Sequence, residues 1–345
     1  MLEKPNLSDE SILSALQNGF GISAQSVDFL PLGNDSNAWA YRAFLDHGAS
    51  YFLKVKKNLT NPRGITIPHY IHSHGMAQVV APIATPTGEL WHPAGETGEF
   101  VLLLYPFLEG DNGMNTGLTD AQWIEYGTFL KTLHTTHLPP DLAAQLSRES
   151  FIPTNKSLDS LRQIQERLAA NRINGPIQAE LATFWQEKAS VIEQVVRRTQ
   201  ELAATLRPQA LDYVLCHADI HTANLLITPD QQMFVVDWDE TILAPRERDL
   251  MFVIGSAIAI DPPVQPEQEK LFFQGYGDYN LNWPALAYYR YEWAVQDMAD
   301  FAARVFLMDE LGEVSQQAAL RWFKGLFNPN DEIDMALQSE AKLPK

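Results

Sequence analysis

The feature that most constrains this sequence is a short β-like interruption in a half that otherwise reads as helix. Beyond Pro106, apolar residues recur mostly at helical spacing, as Trp123, Tyr126, Leu130 and Leu133 do. Then Tyr213-Val-Leu-Cys216 leads into the polar loop His217-Ala-Asp-Ile-His-Thr-Ala-Asn224. Leu225-Leu-Ile227, Thr228-Pro-Asp-Gln-Gln232 and Met233-Phe-Val-Val236 follow. The turn chemistry at Pro229-Asp230 predicts a hairpin. A lone hairpin among helices is a rigid mount for the loops that flank it. If 225–227 pairs with 233–236, Asn224 and Asp237 lie at the same open end, with Asp219 on the loop just before them. An amide and a carboxylate so placed suit a divalent cation held against phosphates, and a separate carboxylate suits the orientation of an attacking hydroxyl.

The first third of the chain has a different period. Ser8 reads as the N-cap of a short helix carrying Ile12, Leu13 and Leu16 on one face. Val27 to Leu32, Ala38 to Leu45 and Ser50 to Val55 alternate as strands, separated by the turn formers Gly33 to Asn37 and Asp46-His-Gly48. A helix opening at Pro62 or Pro68 runs to about His74, and further strands are predicted at Gln78 to Ala81 and Phe100 to Tyr105. After the linker Pro106 to Gly113, helices are predicted over Thr119 to His137, Gln178 to Leu206 and Ala285 to Leu307. The apolar run Leu250 to Ile260 reads as a buried helix too short to span a bilayer. The fold class is therefore α+β, with a small β-rich N-lobe over 1–105 and a larger, mostly helical C-lobe over 106–345.

Composition narrows the partners. The 345 residues are 46% apolar and 20% charged, a globular balance, with 25 basic and 43 acidic side chains giving a net charge of −18. Such a surface repels nucleic acid and anionic membrane and attracts cationic ligands. The single cysteine, Cys216, excludes a disulfide within the chain and a multi-cysteine zinc site, and its apolar neighbours mark it as core filler. With no basic start or apolar stretch at the N-terminus, this predicts a cytoplasmic protein.

The string Val214-Leu-Cys-His-Ala-Asp-Ile-His-Thr-Ala-Asn-Leu-Leu226, with Val236-Asp-Trp-Asp-Glu240 and Leu243-Ala-Pro-Arg-Glu-Arg-Asp-Leu-Met-Phe252, resembles the catalytic segment of the aminoglycoside phosphotransferase family, in particular its spectinomycin branch. Tyr51-Phe-Leu-Lys54 and Tyr288-Tyr-Arg-Tyr-Glu292 extend the likeness over nearly the whole chain. The resemblance implies a bilobal, protein-kinase-like fold that transfers the γ-phosphoryl group of ATP or GTP, with Mg²⁺, to a hydroxyl of a small aminoglycoside- or aminocyclitol-like acceptor. By position it makes Asp219 the catalytic base or hydroxyl-orienting residue and Asn224 and Asp237 the metal ligands. Lys54 becomes the lysine on the α- and β-phosphates. The loop Gly33, Asn34, Asp35 and Ser36 would cover the nucleotide, and Leu104 to Phe107, including Tyr105, would hold the purine. Glu292, Asp297 and Asp300 on the last long helix, with Trp238 and Asp239 after the hairpin, are the candidates for acceptor recognition.

Other readings of the same residues stand beside these. His217 suits packing and hydrogen bonding better than catalysis, and Asp249 suits a helix cap or a buried anchor of the loop. Asp239 reads equally as a second metal ligand or a plain loop carboxylate. Two further functions fit the fold: a metabolic kinase acting on a sugar, choline or an amino alcohol, and a nucleotide-binding pseudo-enzyme. One departure favours the last. Kinase-fold enzymes hold the strand lysine with a glutamate from the following helix, yet no Asp or Glu occurs between Val55 and Gly88. Lys54 is therefore expected to pair with Asp237 or the phosphates, or to be poorly ordered without nucleotide.

Overall fold

The computed structural model describes residues 2–33, 35, 37–57, 59, 61–153, 155–309 and 311–343, the side chains of His47 and Asn155 excepted. The chain opens with α1 (Asp9–Ala15), whose N-cap Ser8 accepts a hydrogen bond from Ser11 N–H at 3.2 Å, as the sequence predicts. Three antiparallel strands follow, β1 (Ala24–Leu30), β2 (Ala38–Leu45) and β3 (Ser50–Lys57), and then α2 (Arg63–Ser73). β4 (His92–Ala94) and β5 (Phe100–Pro106) complete a five-stranded sheet in the order β1-β2-β3-β5-β4. Leu53 and Val55 of β3 are fully buried with Tyr41, Leu102 and Leu104. Alternation along β3 turns Lys54 and Lys56 to the opposite face.

Beyond the linker come β6 (Asp111–Asn112), α3 (Gly113–Thr116), α4 (Asp120–Thr135) and α5 (Pro140–Ala143), then α6 (Asn155–Ala169) and the single long α7 (Gly175–Leu206). The β-like interruption is real: β7 (Val214–Cys216), β8 (Leu225–Ile227), β9 (Met233–Val235) and β10 (Ile242–Ala244). α8 (Glu247–Leu250), α9 (Pro266–Tyr276), α10 (Trp283–Phe306), α11 (Glu313–Gly325) and α12 (Glu332–Gln338) end the chain. Among the described residues no helix is long and apolar enough to cross a membrane.

The chain divides into two compact units. The first takes in Met1–Thr116, Leu138–Leu146 and Asn224–Thr241; the second takes in Gly117–His137, Ser147–Ala223 and Ile242–Lys345. The hairpin β8–β9 thus belongs with the five-stranded sheet, although it lies far along the helical half of the sequence. Its tie is the segment predicted as a strand at Gln78 to Ala81. That segment forms a single parallel bridge, Val79 to Val235, with Val235 N–H donating to Gln78 O at 2.7 Å and Val80 N–H to Val235 O at 3.1 Å. Pro82, lacking an N–H, stops it from extending into a full strand.

In the second unit α4 and α9 pack at very close range. A Cβ on Gly127 would meet Phe272 O at 1.9 Å, and one on Gly275 would meet Ile124 O at 1.9 Å. Reciprocal glycines let the two backbones touch. The predicted buried helix at 250–260 is corrected: α8 covers four residues and gives way to turns, with Gly255 at φ 52° and Asp261-Pro262-Pro263 beyond. Leu250, Met251 and Val253 are nonetheless fully buried, because the apolar run reports burial and not helix.

Candidate active site

The first unit holds a cleft of about 190 Å³ lined by Gly33, Lys54, Tyr105, Asn224, Asp237 and Asp239 among others. Strand β3 presents Lys54 to it. The hairpin presents the acidic groups: Leu225 pairs with Val235, and Val236 N–H donates to Asn224 O at 3.1 Å, so Asn224 and Asp237 meet at one open end. Asp237 sits at φ 60°, a conformation that non-glycine residues rarely adopt, where the chain turns sharply out of the hairpin. Trp238 then packs inward at 2% exposure; its Nε1 donates to Val235 O at 3.3 Å, and its carbonyl accepts from Thr241 Oγ1 at 2.6 Å. With the indole buried, Asp237 and Asp239 on either side of it both reach Lys54.

The lysine is held firmly. Its Nζ lies 2.9 Å from Asp237 Oδ1 and 2.7 Å from Asp239 Oδ2, and Lys56 Nζ lies 2.8 Å from the same Asp239 oxygen. Burial alone would lower the Lys54 ammonium; Asp237 and Asp239 overcome it and hold the group well above the ordinary lysine value. Burial would likewise raise Asp239, but Lys54 and Lys56 hold it well below the usual carboxylate range. Lys54 thus takes the first of its expected alternatives, pairing with Asp237, and adds Asp239. Asp239, from the turn after the hairpin, is the partner that the sequence did not name.

The donors at the hairpin end fit a hard cation. An amide oxygen and a carboxylate, with Asp239 two residues on, match the oxygen chemistry of Mg²⁺ and not that of Zn²⁺. The Asp237 side chain is 46% exposed and so has room for such an ion. In the loop after β1, Gly33 takes φ 80° and Asp35 Oδ1 accepts from Asn37 N–H at 2.7 Å; Asn34 and Ser36 lie outside the described residues. Phe107 carries the Arg42 guanidinium 3.9 Å from its ring centre. Within Leu104 to Phe107, the segment expected to hold the purine, the Leu104 carbonyl already accepts from Ile83 N–H at 2.7 Å, and Pro106 has no N–H to offer.

The second unit carries Asp219 on a loop anchored from beneath. Asp249 accepts from the N–H groups of His217 and Ala218 at 3.0 and 2.7 Å, and His134 Nε2 lies 3.0 Å from it. His134 Nδ1 in turn meets the Tyr276 hydroxyl at 2.8 Å, and Tyr126 Oη donates to Ile220 O at 2.6 Å. Asp249 is thus a buried anchor of the loop, as the sequence suggests; His217 is buried, its Nδ1 accepting from Asp219 N–H at 3.2 Å, and Cys216 is buried. Ala218, just before Asp219, takes φ 70°, and the Asp219 side chain is 20% exposed. His221, unassigned in the sequence, places Nε2 3.1 Å from Asp219 Oδ1. Burial would raise the Asp219 carboxyl, yet His221 first, then His217 and Arg248, bring it below its ordinary value.

Acidic side chains gather near it. The Asp297 carboxyl is pushed up to about 7, chiefly by burial and then by Asp300 and Asp219. Burial, followed by Asp297, also drives Glu332 of α12 well up, and the two carboxyls share a hydrogen bond. Glu332 lies so far along the sequence that no local pattern linked it to Asp297. Glu292 is placed differently: it is buried, 3.5 Å from the Arg248 guanidinium, so its charge is balanced inside the protein. Asp300 pairs with Arg304 one helical turn on and remains 41% exposed.

The model of the phosphotransferase enzyme family (APH) matches residues 33–289. No curated protein matches the sequence. Among solved structures, spectinomycin phosphotransferase in complex with ADP and spectinomycin is 28% identical, with a TM-score of 0.86, covering 97% of this chain and 99% of its own. A microcompartment-associated aminopropanol kinase (14% identity, TM-score 0.62, 97% and 98% coverage) and a gentamicin-bound APH(2")-IIa (15%, 0.58, 96% and 99%) share the fold. The fold is kinase-like, with a β-sheet N-terminal part and a helical C-terminal part, and the chain belongs to the phosphotransferase enzyme family as a small-molecule kinase.

Proposed function

We propose that the protein transfers the γ-phosphoryl group of ATP or GTP to a hydroxyl of a cationic, aminocyclitol-like acceptor of the spectinomycin kind. The observation that carries the acceptor class is Asp297, a buried carboxyl within electrostatic reach of both Asp219 and Asp300 in one unit. Carboxylates beside the residue that meets the hydroxyl would bind ammonium groups on the same molecule. The similarity to a spectinomycin phosphotransferase over nearly the whole of both chains supports the same choice.

In this reading Lys54 contacts the α- and β-phosphates, the Gly33 loop covers them, and Tyr105 and Phe107 flank the purine. Asn224 and Asp237 hold Mg²⁺, which when bound neutralises charge on the triphosphate. Asp219 accepts a hydrogen bond from the acceptor hydroxyl and takes its proton late. A carboxylate held below its ordinary value is a weak base, so its larger contribution is orientation. His221 fixes one Asp219 oxygen and leaves the carboxylate a defined direction. Asp219 and Asn224 are separated by four residues, 220–223, so the chain itself keeps the hydroxyl-orienting group and the metal ligands within a short tether.

The reading is tested by nucleoside diphosphate release over a panel of alcohols with ATP and with GTP. Turnover is expected with an aminocyclitol, is abolished by EDTA and returns with Mg²⁺. Faster turnover on an uncharged sugar would contradict the acceptor class. Nucleotide binding without turnover on any acceptor would favour a pseudo-enzyme.

A further inference from the structure

In kinase-fold enzymes the strand lysine is oriented by a glutamate on the helix that follows it. Here α2 carries no acidic residue, and its Gly64 comes close to Asp239, a partner of the lysine. A Cβ at Gly64 would lie 2.7 Å from Asp239 Oδ1, 2.8 Å from Asp239 Cα and 3.1 Å from Trp238 O. The space that a side chain of α2 would fill is therefore occupied by the Asp239 carboxylate itself. Arg63 Nε donates to the Asp239 carbonyl at 3.3 Å and fixes the same close approach from the helix side.

We infer that Asp239 is the positioning residue for Lys54, replacing the missing helix carboxylate with one supplied two residues beyond the metal-binding aspartate. Asp237 also touches Lys54, but the two carboxylates are not equivalent. Asp237 is the more exposed, 46% against 28%, and the proposed function assigns it to the metal. A divalent cation on Asp237 would draw on the negative charge that otherwise holds the ammonium group, whereas Asp239 would keep its charge for Lys54. Asp239 is braced by Lys56 on the same oxygen and by the buried Trp238 beside it. It stays on Lys54 when nucleotide and metal arrive and presents the Nζ to the phosphates. Gly64 is then a requirement of this arrangement, since any side chain there would displace Asp239.

This inference rests on the proposed nucleotide site, and the experiment separates the two. Calorimetric affinities for Mg-ATP and Mg-GTP are measured for wild type, Asp239→Asn, Lys54→Ala and the double variant, and again with Lys56→Ala in place of Lys54→Ala. Asp239→Asn is expected to weaken binding of the preferred nucleotide by about tenfold or more, which is about 1.4 kcal/mol. It should add little once Lys54 is gone and should add its full effect once Lys56 is gone, the non-additivity expected of residues in one contact. In the free protein, Lys54 should react with an amine-selective label more slowly than the exposed Lys57, and Asp239→Asn should speed it. If wild type binds neither nucleotide, the proposed site itself fails and the inference with it. If wild type binds but the Asp239 and Lys54 losses simply add, or free Lys54 labels as fast as Lys57, Asp239 does not position the lysine.

Discussion

Asp297 has a consequence in solution. Its carboxyl is pushed up to about 7, by burial first and then by Asp300 and Asp219. In the folded chain it therefore keeps its proton over a range where an unfolded aspartate has lost it. Stability drawn from this group falls as pH rises from about 4 to about 7, the opposite of a salt-bridged aspartate. Acceptor binding should run the other way, because only the ionised carboxylate attracts an ammonium group. We predict that KM for a cationic acceptor falls as pH rises through about 7, while KM for nucleotide changes little over the same interval. Asp297→Asn should flatten that acceptor profile. Steady-state kinetics from pH 6 to 8.5, with an acceptor whose amines stay protonated throughout, checks it; an acceptor KM independent of pH would remove Asp297 from the binding site.

The elements that mount these residues were unequally visible in the sequence. The strands β2 and β3, the hairpin β8–β9 and the long helices α4, α7 and α10 follow from period and turn residues, because each buries one face and so writes its period into the sequence. The Asn224–Asp237 meeting point was legible for the same reason, since a short hairpin has few registers. Of the two Lys54 partners, Asp237 was legible and Asp239 was not: Asp239 reaches β3 from more than 180 positions away, through a turn set by a buried tryptophan, and no local pattern encodes that. The α4–α9 contact was equally hidden, since Gly127 and Gly275 look like ordinary weak points in helices. It yields a prediction whose sign differs from propensity. Gly→Ala in a helix should stabilise by about 1 kcal/mol, yet here the new methyl group would strike a backbone carbonyl. Gly127→Ala and Gly275→Ala are each expected to destabilise by about 1–3 kcal/mol or more. They should also loosen the Asp219 loop, because α4 and α9 carry its supports Tyr126, His134 and Tyr276. Denaturant unfolding of both variants checks this; an unchanged or raised midpoint would show that the helices part without strain.

For the molecule as a whole, the distribution of work is uneven in a way that suits phosphoryl transfer. The unit built on the five-stranded sheet contains Lys54, Asn224, Asp237 and Asp239, all suited to phosphate and metal. The helical unit contains Asp219 and the acidic side chains suited to a cationic alcohol. Fold and family were legible because the segment from 213 to 255 concentrates the chemistry. The acceptor was not legible beyond an expected class, because the residues proposed for it come from α10 and α12, whose sequences report burial more strongly than recognition. The most direct test of the central claim is a comparison of Asp219→Asn with wild type, with turnover measured on the best acceptor and nucleotide affinity measured in parallel. Asn keeps the shape and removes the charge and the proton acceptor. The account predicts a loss of kcat on the order of 10²-fold or more with nucleotide affinity nearly unchanged; a variant that turns over at close to the wild-type rate would contradict it.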